Sequence, residues 1–292
     1  MSTHHLPTRA PPSPPPPTPY IHPAYGHLVR ELDFSRLYYI ISDMFLTHLF
    51  PQTPLLLALT ITSPKQFSDD SLLSLSLSCP LLRRLELQGC PKISDKGMEY
   101  ILEGCQNIHT LVLSNRGGSS SSCSSITDKT LSHLAHSACA QSTLGVLNLS
   151  NASPFITGQN PGLLSIALWC PNLVSFNISH CTSFVKDELL ANLLCAPSLQ
   201  VLNLAHCQDI TDRGMTNVAR GCPDLRELDI TAVNLVTDKG VMEIGQRCQS
   251  FRKLVMDDRC GRVTEDVLRC FQWGAEVVQR RKMLGWRYSR TF

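Results

Sequence analysis

The chain has 292 residues, a net charge of +2 and 17% charged residues, a balance that gives no general polyanion-binding character. Hydrophobic residues make up 43% of it, yet no apolar run approaches the roughly 20 residues of a membrane-spanning helix. The cysteines number thirteen, so they cannot all be paired with one another within one chain.

Residues 1–26 read MSTHHLPTRAPPSPPPPTPYIHPAYG. This proline-rich stretch lacks the apolar periodicity of a helix or strand and is expected to be an extended, disordered spacer. From there an L-x-x-L-x-L frame recurs, its first apolar position falling at Val29, Leu56, Leu82, Ile108, Leu144, Leu173, Leu199, Leu225 and Phe251. The gaps are 27, 26, 26, 36, 29, 26, 26 and 26 residues. A fixed period marks architecture, and the functional-looking side chains that repeat with it have to be read first as structure.

Each unit opens with a strand. In Leu199-x-x-Leu202-x-Leu204 the two later leucines face one side and Asn203 the other, because strand side chains alternate. The second half of each unit switches to helical spacing: Met215, Val218 and Ala219 fall at i, i+3 and i+4, one face able to pack on the strand layer. Thr211-Asp212 and its counterparts Ser94-Asp95, Thr127-Asp128 and Thr237-Asp238 predict helix starts, with the hydroxyl as N-cap and the aspartate at the positive end of the helix dipole. Cys79-Pro80, Cys170-Pro171 and Cys222-Pro223 predict helix ends, since proline cannot continue a helix. The segment RGGSSSSCSS, residues 116–125, supplies most of the excess in its unit and reads as a flexible surface loop. A basic tail follows at 276–292; within it residues 280–292 hold Arg280, Arg281, Lys282, Arg287 and Arg290 and no acid, which leaves a net −3 on the rest of the chain.

One strand and one helix per unit is the plan of an α/β leucine-rich-repeat solenoid over residues 27–275, a right-handed β–α superhelix of about nine repeats. Strands stack at about 4.8 Å and helices at about 8–10 Å, so the array curves into a horseshoe with the strands inside. The middle column of that concave wall is Asp33, Thr60, Glu86, Val112, Asn148, Asn177, Asn203, Asp229 and Val255. Of these, Asn148, Asn177, Asn203 and Asp229 are expected to face solvent, free of packing duty, as the protein-binding row.

Most cysteines fall at two repeat positions, after the strand (Cys90, Cys181, Cys207) and at the helix end (Cys79, Cys105, Cys170, Cys195, Cys222, Cys248). With no C-x-x-C for zinc and no secretory signal segment, they read as buried free thiols packing as small hydrophobes. His180 and His206, 26 residues apart, read as a stacked pair of partly exposed imidazoles. Nothing in the pattern points to a catalytic residue, a metal or a cofactor, and a nucleic-acid partner has only the short basic tail in its favour.

The cysteine after the strand, the I-[ST]-D-x-G helix start and the Cys-Pro helix end resemble the cysteine-containing, RNI-like repeats of the F-box/LRR family. The match is strongest in LELQGCPKISDKGMEYILEGC (85–105) and LNLAHCQDITDRGMTNVARGCPDLRELDI (202–230). The resemblance implies the substrate-recognition subunit of an SCF-type ubiquitin ligase, cytoplasmic or nuclear, holding a protein substrate on the concave face. An F-box is not recognisable in residues 1–26, so a Skp1-type adaptor and cullin are expected as partners only where that module is supplied outside this chain. The alternative is an F-box-less scaffold or inhibitor with no ligase role.

Overall fold

The computed structural model describes residues 23–37, 41–115, 126–152, 161–181, 185–192, 196–264, 266–267 and 276–280. Most of the proline-rich start, the serine segment and the tail from residue 281 lie outside the described residues.

Ten strands form one sheet in chain order, each paired parallel to the next: β1 (Glu31–Phe34), β2 (Ala58–Thr62), β3 (Arg84–Gln88), β4 (Thr110–Ser114), β5 (Val146–Asn148), β6 (Ser175–Asn177), β7 (Val201–Asn203), β8 (Glu227–Asp229), β9 (Lys253–Asp257) and β10 (Glu276–Arg280). The first nine stand where the repeat frame puts them. The tenth was not expected: Glu276–Arg280 pairs residue for residue with β9, so the sheet runs five residues into the segment assigned to the tail. Its sequence, EVVQR, has no L-x-x-L-x-L frame, and it is the strand ladder that continues there.

Helix α1 (Pro23–Gly26) precedes the first strand, and the others lie between strands: α2 (Asp43–Leu49), α3 (Asp69–Ser78), α4 (Asp95–Gly104), α5 (Asp128–His136), α6 (Ala138–Ser142), α7 (Pro161–Trp169), α8 (Asp187–Asn192), α9 (Asp212–Gly221) and α10 (Asp238–Arg247). Between the layers runs one core. Its spine is Leu59, Leu85, Leu111, Leu147, Phe176, Leu202, Leu228 and Leu254, each no more than 1% exposed. They stack strand upon strand in register, which is how a solenoid buries apolar surface that no single unit could bury alone.

The helix starts do more than cap. Ser94, Thr127, Thr211 and Thr237 each accept from the main-chain N–H two residues on, as the sequence predicts. The aspartate that follows each cap reaches the next repeat. Asp95 accepts from the N–H and hydroxyl of Thr127 at 2.8 and 2.6 Å and from Thr130 Oγ1 at 2.5 Å. Asp212 does the same with Thr237 at 2.7 and 2.6 Å and adds Gly240 N–H at 3.1 Å. Asp43, Asp69, Asp128, Asp187 and Asp238 make the corresponding bonds to the start of the following helical segment. Each carboxylate thereby satisfies amide groups at the start of a helix one turn of the solenoid away. Burial pushes the Asp95 carboxyl up, but the Thr127 and Thr130 bonds outweigh it and hold the group below its ordinary value. A depressed carboxyl contributes stability above the unfolded-state value, and that stability is lost as pH falls through the folded one.

This latch also accounts for the glycine of the D-x-G motif. A Cβ at Gly97, Gly214 or Gly240 would lie 2.2, 2.4 or 2.5 Å from the aspartate of the preceding repeat. Where the third helical residue is Ser71 or Thr130, its hydroxyl donates to that aspartate instead.

Candidate functional site

The middle column stands in register: Asn148 pairs with Asn177, Asn177 with Asn203, and Asn203 with Asp229. The three asparagines are half-buried on the sheet face away from the spine. They are not idle, as the sequence reading had them. Asn148 Oδ1 accepts from Ser150 N–H at 2.9 Å, Asn177 Oδ1 from Ser179 N–H at 3.0 Å and Asn203 Oδ1 from Ala205 N–H at 3.0 Å. Each closes an Asx turn that bends the chain out of its strand. Asp33 closes the same turn on Ser35 N–H at 2.8 Å, a bond that is the main cause holding its carboxyl below the usual value.

Asp229 departs further from expectation. It is 8% exposed, and its Oδ1 accepts from both the N–H and the hydroxyl of Thr231, at 2.9 and 2.6 Å. Its carboxylate belongs to the turn and does not extend the exposed row. The solvent-facing line is therefore Asn148, Asn177 and Asn203.

Three residues past the column the backbone is left-handed without glycine, with φ of 59° at Asn151, 61° at His180, 64° at His206 and 61° at Ala232. Such residues carry strain unless their surroundings fix them. Here the N–H of Asn151 donates to Ser179 O, that of His180 to Ala205 O and that of His206 to Thr231 O, at 2.9, 2.7 and 2.7 Å. The bend is thus locked by an Asx turn within each repeat and by a main-chain bond to the next.

These paired bends bring His180 and His206 face to face, with ring centroids 3.9 Å apart and an angle of 16° between planes, the imidazole stack that the 26-residue spacing predicts. Both are held below the ordinary histidine value, first by burial and then by positive neighbours, among them Arg259. Among the described residues no three histidine, cysteine or acidic side chains gather closely enough to hold a metal ion.

Charge lies at the two ends of the wall and not in its middle. Arg84 pairs with Glu86 at 2.8 Å on β3, Lys253 with Glu227 at 3.2 Å across β8 and β9, and Arg259 with Asp257 at 2.7 Å. Between these borders the outward strand positions of β5 to β7 are Val146, Asn148, Ser175, Asn177, Val201 and Asn203, none of them charged.

The cysteines lie behind this wall. All ten that are described are buried thiols outside any disulfide. Cys195, placed at a helix end by the repeat, lies outside the described residues, as do Cys123 and Cys270. Thiols of one repeat donate to carbonyls of the repeat before: Cys181 to Leu149 O at 3.4 Å, Cys207 to Ile178 O at 3.2 Å and Cys248 to Cys222 O at 3.3 Å. Burial pushes Cys105, Cys170 and Cys222 up to about 12 and Cys79, Cys181 and Cys248 up to about 11. Since the thiolate is the reactive form, iodoacetamide at about pH 8 is expected to leave these ten unmodified in the native protein while denatured protein is labelled throughout. Peptide mass spectrometry checks this, and fast native labelling of Cys181 or Cys207 would contradict it. Reductant is expected to leave the melting temperature unchanged.

Comparison with known proteins agrees with this geometry. A family model described as a leucine-rich repeat matches residues 78–102 and 195–219, and no curated protein matches the chain. Among solved structures, the leucine-rich repeat-containing protein LegL7 from Legionella pneumophila is similar over 86% of this chain and 82% of its own, at 15% identity and a TM-score of 0.53. The complex of Rad7 and Elc1 in yeast matches over 82% of this chain and 71% of the other, at 17% identity and a TM-score of 0.48. With its parallel strands in one open sheet, alternating with helices, the chain is an α/β leucine-rich-repeat solenoid.

Proposed function

We propose that the protein is a non-catalytic interaction module that binds a protein segment on the sheet-lined inner wall, and that it serves as a substrate-recognition subunit of an SCF-type ubiquitin ligase. One observation carries the binding part: Asn148, Asn177 and Asn203 are held in register on an uncharged surface between two ion-paired borders. A surface so regular and so free of other duty at its exposed amide groups is suited to an elongated partner. The ligase part rests on the resemblance of the repeats to those of the F-box/LRR family, and needs an adaptor-binding module supplied from outside residues 27–280. Buried thiols outside disulfides suit a reducing compartment, the cytoplasm or nucleus.

The test blocks the wall without touching its turns. Ser175 and Val201 face the same side as the asparagine row and are half-buried. Ser175→Arg with Val201→Arg is expected to leave a folded protein that no longer captures its partner, read by affinity purification and mass spectrometry. Arg220→Glu on the outer face is expected to capture it as before. Capture that survives the double arginine change would overturn the inner-wall reading. A Skp1-type adaptor and cullin among the wild-type captures support the ligase role, and their absence alongside a retained partner favours the scaffold reading.

A further inference from the structure

The orientation of the wall amides is fixed by the fold. In each of Asn148, Asn177 and Asn203 the Oδ1 is taken by the N–H two residues on. Their Nδ2 groups make no hydrogen bond among the described residues. With each Oδ1 engaged in its turn, the row offers its N–H groups, and the Ser175 hydroxyl lies beside them. An amide whose two ends were both free could serve either kind of partner; here the oxygen is already engaged once, and the N–H groups are the ends with no bond made.

Two further features narrow the partner. Adjacent donors sit on adjacent strands, about 4.8 Å apart, so the line advances about 10 Å over its two steps. One face of an α-helix laid across the strands presents a side chain each turn at a pitch of about 5.4 Å, about 1 Å out of step at the third donor. Same-side residues of an extended chain are about 6.6–6.8 Å apart, nearly 4 Å out by then. Beside the donors lie Val146, Ser175 and Val201, half-buried and uncharged, and Arg259, the cation that acts on His180 and His206, is already paired with Asp257 at 2.7 Å. A carboxylate buried there would lose water without gaining a counter-charge, whereas a glutamine offers a neutral carbonyl on an apolar stem.

Resting on the inner-wall reading, we infer that the row Asn148–Asn177–Asn203 is a neutral hydrogen-bond donor ladder, and that it recognises a helical segment carrying a glutamine-type acceptor once per turn. The ladder discriminates by polarity of the hydrogen bond and not by charge, and it excludes lysine-bearing faces, which would set donor against donor.

The chain supplies its own control substitution, because Asp33 and Asp229 close the same turn with a carboxylate. Asn→Asp at 148, 177 and 203 therefore keeps the bend and turns three donors into acceptors. The probes are three alanine-based helical peptides of about 20 residues, long enough to hold a helix, identical except for one residue per turn along one face: glutamine, glutamate or lysine. Binding is read from the side-chain amide resonances of the three asparagines and from peptide fluorescence anisotropy. The glutamine peptide is expected to shift all three amide pairs and to bind at least about ten-fold more tightly than the lysine peptide, with glutamate between them. In the triple aspartate protein the order is expected to reverse, lysine binding best. Equal or tighter binding of lysine to the wild type would overturn the ladder, as would glutamine binding unaltered in the triple variant or no amide shift with any peptide at about 1 mM. Those outcomes leave the inner-wall reading standing, since that is decided separately by Ser175→Arg with Val201→Arg.

Discussion

Phe176→Ala is expected to lower the unfolding free energy by about 3–5 kcal/mol, the range for an aromatic side chain truncated in a closed core. Phe176 is 1% exposed and stands in register between Leu147 and Leu202, so the cavity opens against both neighbouring repeats. In a solenoid the stability is close to a sum over units and their contacts with neighbours, and this change weakens one unit and two such contacts. Against a total of roughly 5–15 kcal/mol for a folded domain, it brings the protein near its threshold. Phe176→Leu, which keeps most of the volume, is expected to cost less than about 1.5 kcal/mol. Urea titration followed by circular dichroism distinguishes the two, and equal losses would mean that the spine position is not sensitive to volume.

Asp212→Ala is expected to cost about 2–4 kcal/mol through the loss of charge-assisted bonds and of a favourable charge at a helix start. Three donors lose their acceptor at once: Thr237 N–H, Thr237 Oγ1 and Gly240 N–H. Asp212→Asn keeps one oxygen for the two N–H groups, and the Thr237 hydroxyl can turn to accept from the new amide, so its expected loss is about half as great. The order of the two variants carries the argument. An alanine variant no worse than the asparagine one would show that the aspartate acts at its own helix and not on the next repeat. Gly240→Val approaches the same contact from the other side, since its Cβ would meet Asp212 Oδ1 at 2.5 Å and Met215 Cβ at 3.0 Å.

The parts of this molecule that were legible in the sequence are those written in a short window. Leu202 and Leu204 announce a strand by alternation, Thr211-Asp212 a helix start, and Cys222-Pro223 its end; all three stand where they were expected. The register of Asn148, Asn177 and Asn203 was legible too, because each holds the same place in its leucine frame although the units are 29 and 26 residues long. The duty of those asparagines was missed, although a short amide recurring where a strand must bend is a turn signal. Asp229 was taken as exposed because alternation gives the direction of a side chain and not what lies over it. The link from Asp212 to Thr237 spans 25 residues and exists only once two repeats are stacked. A recurring D-x-G, with glycine in the first turn of a helix where it costs stability, was the one local hint of it. β10 was missed because its pairing with β9 stands in for the missing leucine frame.

Among the described residues seven carboxylate latches each join one coil to the next, and the row is interrupted once, at α7, whose first turn carries no acidic residue. Stretched along its axis, the protein is thus a spring whose fastenings lie in series and share one tension, so the weakest governs the strength of the whole. Most latches combine an N–H with a hydroxyl; at α7, where Pro161 stands in the aspartate's place, the helix start offers no carboxylate to the sixth coil. Under load the spring is expected to part there first, between the fifth and sixth coils, into two shorter springs, each still fastened within itself.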